Sequence, residues 1–534
     1  MKLELGNFYV KDIVFGDKTK YENGILTVDK EDCLAFVKRD PHITEADLRI
    51  VKPGDMVRLV PVKEAVECRV KVNGDALFPG YTGPLSQAGD GRTHCLKDMS
   101  LLAVGRHWGG FQDGLIDMGG EGAKYTYFSQ LKNLVLVADT DEDFEKREQQ
   151  KKNRAIREAV HKLAEYIGSC VKDMEPEEVE SYELEPVIRR APETEKLPSV
   201  VYVMQPQSQM EEMGYNDLCY GWDCNHMLPT FMNPNEVLDG AMISGSFMPC
   251  SSKWATYDFQ NCPVIKRLYK EHGKTLNFLG VIMSNLNVAL EQKERSALFV
   301  AQIAKSLGAD AALVTEEGYG NPDADFTGCI VALEDAGVKT VGLTNECTGR
   351  DGKSDPLVSM DEKEDAIVST GNVSELIELP PMPEVIGELE ALARDGLSGG
   401  WADVAFLHLL AQNRFNGLFL RLHDESTANE VEERLIDTRA LNDRALLGDV
   451  AVKDRKSTVL CVCVLNIADA AVLGISFQGL EKVCGRESMG RTHATGRRKV
   501  TMLGLVARAA TADIPLSKPL FQGRSVDRVH IALQ

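Results

Sequence analysis

No stretch of the 534 residues is long and apolar enough to suggest a membrane span. The longest apolar run, 459–477, is broken by Asn466 and Asp469, whereas a span needs about 20 predominantly apolar residues. Positive charge is scarce: 60 Lys and Arg stand against 81 Asp and Glu, a net charge of −21. That balance excludes the basic footprint of a protein that binds nucleic acid or an anionic membrane. The opening MKLELGNFYV lacks the apolar core of an export signal. No GxGxxG opens a strand–helix unit, which argues against a dinucleotide-dependent dehydrogenase. The 13 cysteines are dispersed, as expected of reduced thiols in the cytoplasm rather than a disulfide framework.

What is present reads as an α/β protein, α+β overall, of about three domains. Residues 1–140 are β-rich. Short alternating β-branched runs such as LELGNFYVKDIVFG and DMVRLVPVKEAVECRVKV are broken by Gly, Asp and Lys, and Asn23-Gly24 has the chemistry of a hairpin turn. Residues 141–197 form a connector. Within it, an apolar stripe at Ile156, Val160, Leu163 and Ile167 predicts a helix, and the acidic, proline-containing stretch 175–197 reads as a linker. Residues 198–400 alternate strand and helix, with Gly308 and Gly337 at helix ends, the pattern of a mainly parallel sheet. Residues 401–534 form a tail of doubtful order. Over 403–534 the charge changes sign, with 18 basic against 15 acidic residues.

Ligands of a parallel sheet gather at the carboxyl ends of its strands. There the sequence places EEGYGNPDAD, with Glu316, Glu317, Tyr319 and Asn321 as candidate binders of a cationic amine. The alternative is a solvated approach to a helix capped by Asp323. Thr344-Asn345-Glu346-Cys347 ends another strand, and a small residue at a strand end accounts for Cys347 as well as a nucleophile does. Cys219, Cys224 and His226 have loose metal spacing without a fourth ligand, so no metal is expected. A lone His94 reads as structural before catalytic. Between the two halves lies 235–262, NEVLDGAMISGSFMPCSSKWATYDFQNC, with Cys250 and Ser251 after Gly245 and Pro249, and Trp254 and Tyr257 beyond. A small-residue kink presenting a thiol and hydroxyls suits backbone rearrangement chemistry; an ordinary turn with a buried thiol is the plainer alternative.

Six stretches carry a family resemblance: LELGNFYVKDIVFGDKTKYENGILTV, GRTHCLKD, GFQDGLIDMGGEGAKYTYFSQLKNLVLV, NEVLDGAMISG, PVIKRLYKEHGKTLNFLGVIMSN and EEGYGNPDAD. In order from about residue 2 to 400, they resemble the alpha/beta proprotein of component B in the glycine/sarcosine/betaine reductase complexes of anaerobic bacteria. The resemblance implies a substrate-specific oxidoreductase subunit, active only within a complex, that reductively deaminates a small amine with a disulfide as acceptor. It implies a self-derived pyruvoyl cofactor, made at a cleaved cysteine, that takes the amine as a Schiff base. Its implied partners are a selenocysteine-containing component B subunit, the small selenoprotein A and, indirectly, component C, which yields acetyl phosphate.

Two departures stand out. In glycine-type members the cleaved cysteine lies two residues after the glycine matching Gly245, where this chain has Phe247. Cys250 is then the candidate pyruvoyl precursor, with Ser251 beside it, and Glu316, Glu317, Tyr319, Asn321 and Tyr257 are the candidate substrate binders. The alternative is an uncleaved subunit binding betaine without covalent chemistry, its quaternary ammonium held by aromatic faces such as Trp254 and Tyr257. A non-catalytic assembly module is the competitor from another class. The second departure is the tail after GLSGGW, for which a frameshifted or foreign terminus from about residue 403 is the expectation and a lineage-specific extension the alternative.

Overall fold

The computed structural model describes residues 1–74, 76–106, 114–141, 149–209, 216–245, 253–348, 353–364, 366–372 and 379–388. Cys250, Ser251 and the whole of 401–534 therefore lie outside the described residues.

The N-terminal half is built from antiparallel and mixed sheets. One has the order Glu178–Glu183, Lys2–Tyr9, Gly91–Lys97, Arg69–Lys71. A second runs Gly114–Asp117, Val57–Val66, Met99–Val104, Lys132–Thr140, Ile43–Val51. Val57–Val66 is buried at every position, so both of its faces are covered. The Asn23-Gly24 turn joins Lys20–Glu22 to Ile25–Asp29, both turn residues having positive φ, 53° and 85°. That geometry matches the right-handed twist of a hairpin.

The helix Gln149–Gly168 lies across this half. Its stripe of Ile156, Val160, Leu163 and Ile167 is fully buried in the core below. It ends at Gly168, where a Cβ would stand 2.4 Å from the Arg69 carbonyl oxygen, so only glycine lets the strand pass so close. The acidic stretch after it is not a linker. Glu178–Glu183 pairs antiparallel with Lys2–Tyr9 from Lys2–Glu183 to Asn7–Glu178. The alternation that identifies an edge strand is present in EVESYE, but its charge conceals it: an edge strand exposes one face and tolerates carboxylates there. The chain also returns to this half late, as Glu384–Gly387 pairs parallel with Val57–Val60.

The second half is a six-stranded sheet of order Thr230–Met232, Asn277–Met283, Ser199–Gln205, Ala311–Glu316, Lys339–Glu346, Ile367–Asn372. All neighbours are parallel except the first pair. SVVYVMQ and AALVTE make central strands because both faces are covered. The helices Leu290–Ser306 and Asn321–Asp335 cover one face through Val300, Phe326 and Ile330. Pro263–Glu271 covers the other, where Tyr202, Phe278 and Leu313 also meet Leu3 and Leu5 of the first half. One core thus runs through both halves. No helix among the described residues is long and apolar enough to cross a membrane, which leaves β-barrel spans unaddressed.

Buried ion pairs join the halves. Glu67 accepts from Arg69 Nε at 2.6 Å, from Lys97 Nζ at 3.0 Å and from Asn261 Nδ2 at 3.1 Å, and Arg69 reaches the carbonyls of Leu238 and Gln260. Burial alone would raise the Glu67 carboxyl, but Arg69 and then Lys97 pull it down to about 2. Glu67→Gln should therefore cost about 3–5 kcal/mol in urea unfolding, because it leaves buried cations without their counter-charge. The lost contribution is whole above pH 4.5 and drains as pH falls toward 2, so the variant should show a shallower acid limb. An unchanged midpoint with an unchanged acid limb would contradict this account.

Candidate functional site

Numbered along the chain, the five parallel strands lie in the order 2-1-3-4-5. The chain steps from Ser199–Gln205 to one neighbour, Asn277–Met283, then crosses to the other side as Ala311–Glu316. The connecting helices change face at the same step, Pro263–Glu271 lying on one side and Leu290–Ser306 on the other. Where strand order reverses, the two following loops part and leave a crevice outside the carboxyl ends. That rule points to the ends of Ser199–Gln205 and Ala311–Glu316 as the candidate crevice, where Gln205, Gln207, Glu316 and Glu317 are all buried.

Glu316 and Glu317 are consecutive, and the pleat sends their side chains to different networks. Glu317 accepts from the backbone N–H of Gln207 at 2.7 Å and from that of Trp254 at 2.5 Å. Asp217 stands beside it, accepting from Gly245 N at 2.8 Å and also from Gln207 N at 3.0 Å. Burial first, and then the charge of Glu317, push the Asp217 carboxyl well above the carboxylate range, with a hydrogen bond between the two groups. That direction favours the protonated form of Asp217 beside Glu317. Two acids can be buried side by side only in this way, one of them neutral. Lys253 is buried next to them and donates to Gln207 Oε1. Gly318, at φ 105°, has no Cβ; one placed there would lie 3.5 Å from Lys253 Nζ.

Glu316 turns toward the helix Asn321–Asp335. Its Oε1 accepts from Thr344 Oγ1 at 2.7 Å, while Oε2 is buried without a hydrogen-bond partner. Asp323 Oδ1 and Gln205 Oε1 are buried without one as well. Burial and then Asp323 hold the Glu316 carboxyl well above its ordinary value, and burial raises Asp323 to about 6. Asp323 does not cap the helix. Gly320 holds that position at φ 81°, and Asp323 Oδ2 instead accepts from Val358 N at 2.7 Å. Asn321, the first helical residue, accepts at Oδ1 from Gln209 Nε2 at 2.8 Å, and its carbonyl accepts from Lys293 Nζ at 3.0 Å. Lys293 is neutralised by Asp325.

The structure therefore brings Glu316, Glu317 and Asn321 to one crevice, with half-buried Tyr319 packed at its edge against the sheet core. It does not bring Tyr257 there. That ring lies in the core of the N-terminal half, 5.7 Å from Tyr127 and 5.5 Å from Phe128, because Thr256–Gln260 turns it away. His94 is likewise internal, its Nδ1 2.8 Å from the Val171 carbonyl oxygen. Cys219 and Cys224 are buried thiols, Cys219 Sγ lying 3.9 Å from Met232 Sδ.

Cys250 and Ser251 belong to 246–252, outside the described residues, but both flanks of that segment are placed. Gly245 N is held by Asp217, Trp254 N by Glu317, and Ser244 N donates to Thr256 Oγ1 at 3.0 Å. Sequence reasoning passed over Asp217, Gln207 and Lys253. Only Lys253 had a visible signal, a single cation between small and aromatic residues in SSKWATY.

Comparison with known proteins gives the site its context. A family model described as glycine/sarcosine/betaine reductase component B subunits matches residues 1–414. The chain is 74% identical over 403 residues to betaine reductase complex component B subunit alpha of Peptoclostridium acidaminophilum, covering 75% of this chain and 91% of that protein. It is 41% identical over 391 residues to sarcosine reductase complex component B subunit alpha of the same organism, covering 73% of this chain and 90% of that protein. It is 40% identical over 402 residues to glycine reductase complex component B subunits alpha and beta of Acetoanaerobium sticklandii, covering 75% and 92%. No solved structure matches. The chain belongs to the glycine/sarcosine/betaine reductase component B family.

The Glu317 carboxylate holds two backbone N–H groups, and an amide cannot replace both acceptors. Glu317→Gln should turn an NH2 toward the N–H of Gln207 or Trp254 and lower stability by about 1–3 kcal/mol. Urea unfolding measures this; a variant as stable as the parent would show that the two N–H groups find other partners.

Proposed function

We propose that this member of the component B family is the substrate-binding subunit of a betaine reductase, taking up betaine in the switch-point crevice and exposing its C–N bond to reductive cleavage. As a component of a reductase complex it has an oxidoreductase role exercised with partner components. The observation that carries the choice of betaine is the 74% identity to a betaine reductase subunit across 91% of its length. The crevice suits a small zwitterion, because it gathers a buried ammonium at Lys253 and carboxyl groups at Glu316 and Glu317 within a few residues of the two strand ends.

The chemistry follows from the substrate. A quaternary nitrogen has no N–H to lose, so it cannot condense with a carbonyl, but it is already cationic and leaves as a neutral amine. In this reading the selenolate of the small selenoprotein A attacks the methylene carbon. The Se–C bond forms as the C–N bond breaks, and the bonding pair departs on trimethylamine. Component C then takes the carbon unit at the acetyl level as a thiol attacks selenium and the two are oxidised together to a selenide–sulfide. Inorganic phosphate receives the acetyl group as acetyl phosphate, and a second thiol exchanges the selenide–sulfide for a disulfide and frees the selenol. The crevice residues orient the zwitterion and exclude water, and a selenocysteine-containing subunit completes component B. A pyruvoyl group formed at Cys250 would supply an electrophilic carbonyl to a primary or secondary amine. Glycine or sarcosine would use it and betaine would not. The described cysteines are all free thiols, which supports a reducing compartment, the cytoplasm in this reading.

Two measurements test the proposal. The intact mass of the purified protein should correspond to a single uncleaved chain that does not react with hydroxylamine; two fragments and a trapped carbonyl would restore the pyruvoyl reading at Cys250 or Ser251. Reconstituted with its partner components, the protein should release trimethylamine from betaine. Ammonia from glycine, or methylamine from sarcosine, with betaine inert would overturn the assignment.

A further inference from the structure

Most buried cations whose partners are described have a carboxylate; Arg190 has none but donates to four neutral oxygens, the carbonyls of Glu185, Phe278 and Leu279 and Asn277 Oδ1. Arg58 is paired with Asp117, Arg69 and Lys97 with Glu67, Lys71 with Asp239 and Lys293 with Asp325. Lys253 is as buried as they are, yet among the described residues no carboxylate lies within ion-pair distance of its ammonium, which donates to the neutral amide oxygen of Gln207. The nearby acids are committed elsewhere. Both Glu317 oxygens accept backbone N–H groups, and so do both Asp217 oxygens. A buried ammonium without a hydrogen-bonded counter-ion costs several kcal/mol, and here burial pulls it below its ordinary value against the distant attraction of Glu317 and Asp217. An arrangement of that kind is stable in its charged form when an anion arrives. Gly318 lies beside the ammonium: a Cβ there would meet the Pro322 ring at 2.7 Å and stand in ordinary contact with Lys253 Nζ at 3.5 Å.

We propose that Lys253 is the anchor for the carboxylate of the substrate, with Gln207 as the residue that aims its ammonium into the crevice. This rests on the reading of the chain as a betaine-binding subunit and adds which end of the zwitterion is held where. The carboxylate meets Lys253. The nitrogen then points along the crevice toward the loop of Glu316, Glu317 and Tyr319. A single methylene separates the two charges of betaine, so the group that meets its nitrogen must lie close to Lys253, as the loop after Ala311–Glu316 does at Gly318. Recognition of the carboxylate separates betaine from cations such as tetramethylammonium that have the same head and no acid.

Calorimetric titration of the full-length protein tests this. Lys253→Gln should weaken betaine binding roughly 10–100-fold and leave tetramethylammonium binding unchanged, while Lys253→Arg should keep most of the affinity. A Lys253→Gln protein that melts like the parent and binds betaine equally well would overturn the anchor and leave the betaine reading standing. A wild-type protein that shows no binding of betaine at all, alone or with its partner components, would overturn that reading itself. Betaine methyl ester provides a check that needs no variant. The ester should bind the wild-type protein at least tenfold more weakly than betaine, and equal affinity would overturn the anchor.

Discussion

Two buried carboxyl groups side by side, Asp217 and Glu317, set the geometry on which the crevice depends. Such a pair is costly in a low-dielectric interior unless one member is neutral and every remaining oxygen is hydrogen-bonded. Asp217 is raised in that direction, and the oxygens are met by backbone N–H groups of Gln207, Gly245 and Trp254. Those three N–H groups come from three separate stretches of chain. The pair therefore fixes the end of a central strand relative to both flanks of 246–252. Backbone donors also make the arrangement insensitive to side-chain substitution at 207, 245 and 254. The carboxyls themselves have no such freedom.

The same logic is repeated at the boundary between the halves. Glu64 accepts from Thr256 N at 3.1 Å and from Thr256 Oγ1 at 2.9 Å, with His161 Nε2 3.2 Å away. Asp239 gathers Lys71, Gly89 N and Thr93. Together with Glu67, these acids reach from one half to the stretch 235–262 of the other. A purely apolar boundary would bury as much surface without specifying register, whereas a fully satisfied polar network admits one arrangement. The site needs that uniqueness, since its residues come from strand ends, a helix start and a segment that crosses between halves.

Much of the architecture was legible from pattern alone. The Ile156–Ile167 stripe, the Asn23-Gly24 turn, the glycines after two helices and the unbroken apolar strands 199–205 and 311–316 each carry a local signal that the fold obeys. What escaped is tertiary. EVESYE looks like a linker until its partner Lys2–Tyr9 is known, and the late return of Glu384–Gly387 to the first half has no local mark. Of the candidate site, Glu316, Glu317 and Asn321 were visible because strand ends collect ligands. Asp217 and Gln207 were not, because burial makes them functional, and burial is not written in NDLC or QPQS. Tyr257 was chosen for its proximity in sequence to Cys250, and a single helical turn was enough to carry it away from the crevice.

Adjacent Glu316 and Glu317 look in the sequence like one doubly charged patch for a cation. The pleat separates them, and their chemistry diverges with it. Glu317 spends both oxygens on backbone, so it shapes the crevice more than it attracts a ligand. Glu316 keeps one buried oxygen without a partner, as does Asp323, and burial and then Asp323 raise the Glu316 carboxyl well above its ordinary value. A neutral acid cannot repel the carboxylate of a zwitterion and cannot trap its cation in a tight ion pair. Under the betaine proposal, a site that releases a neutral amine after the C–N bond breaks benefits from that weakness. A fully ionised acidic cluster would bind the trimethylammonium head firmly before cleavage and oppose loss of its charge during it, lowering KM and kcat together. Under the same proposal, the division of labour between two consecutive residues avoids that outcome, with the strong electrostatic hold at the end of the substrate that does not change charge.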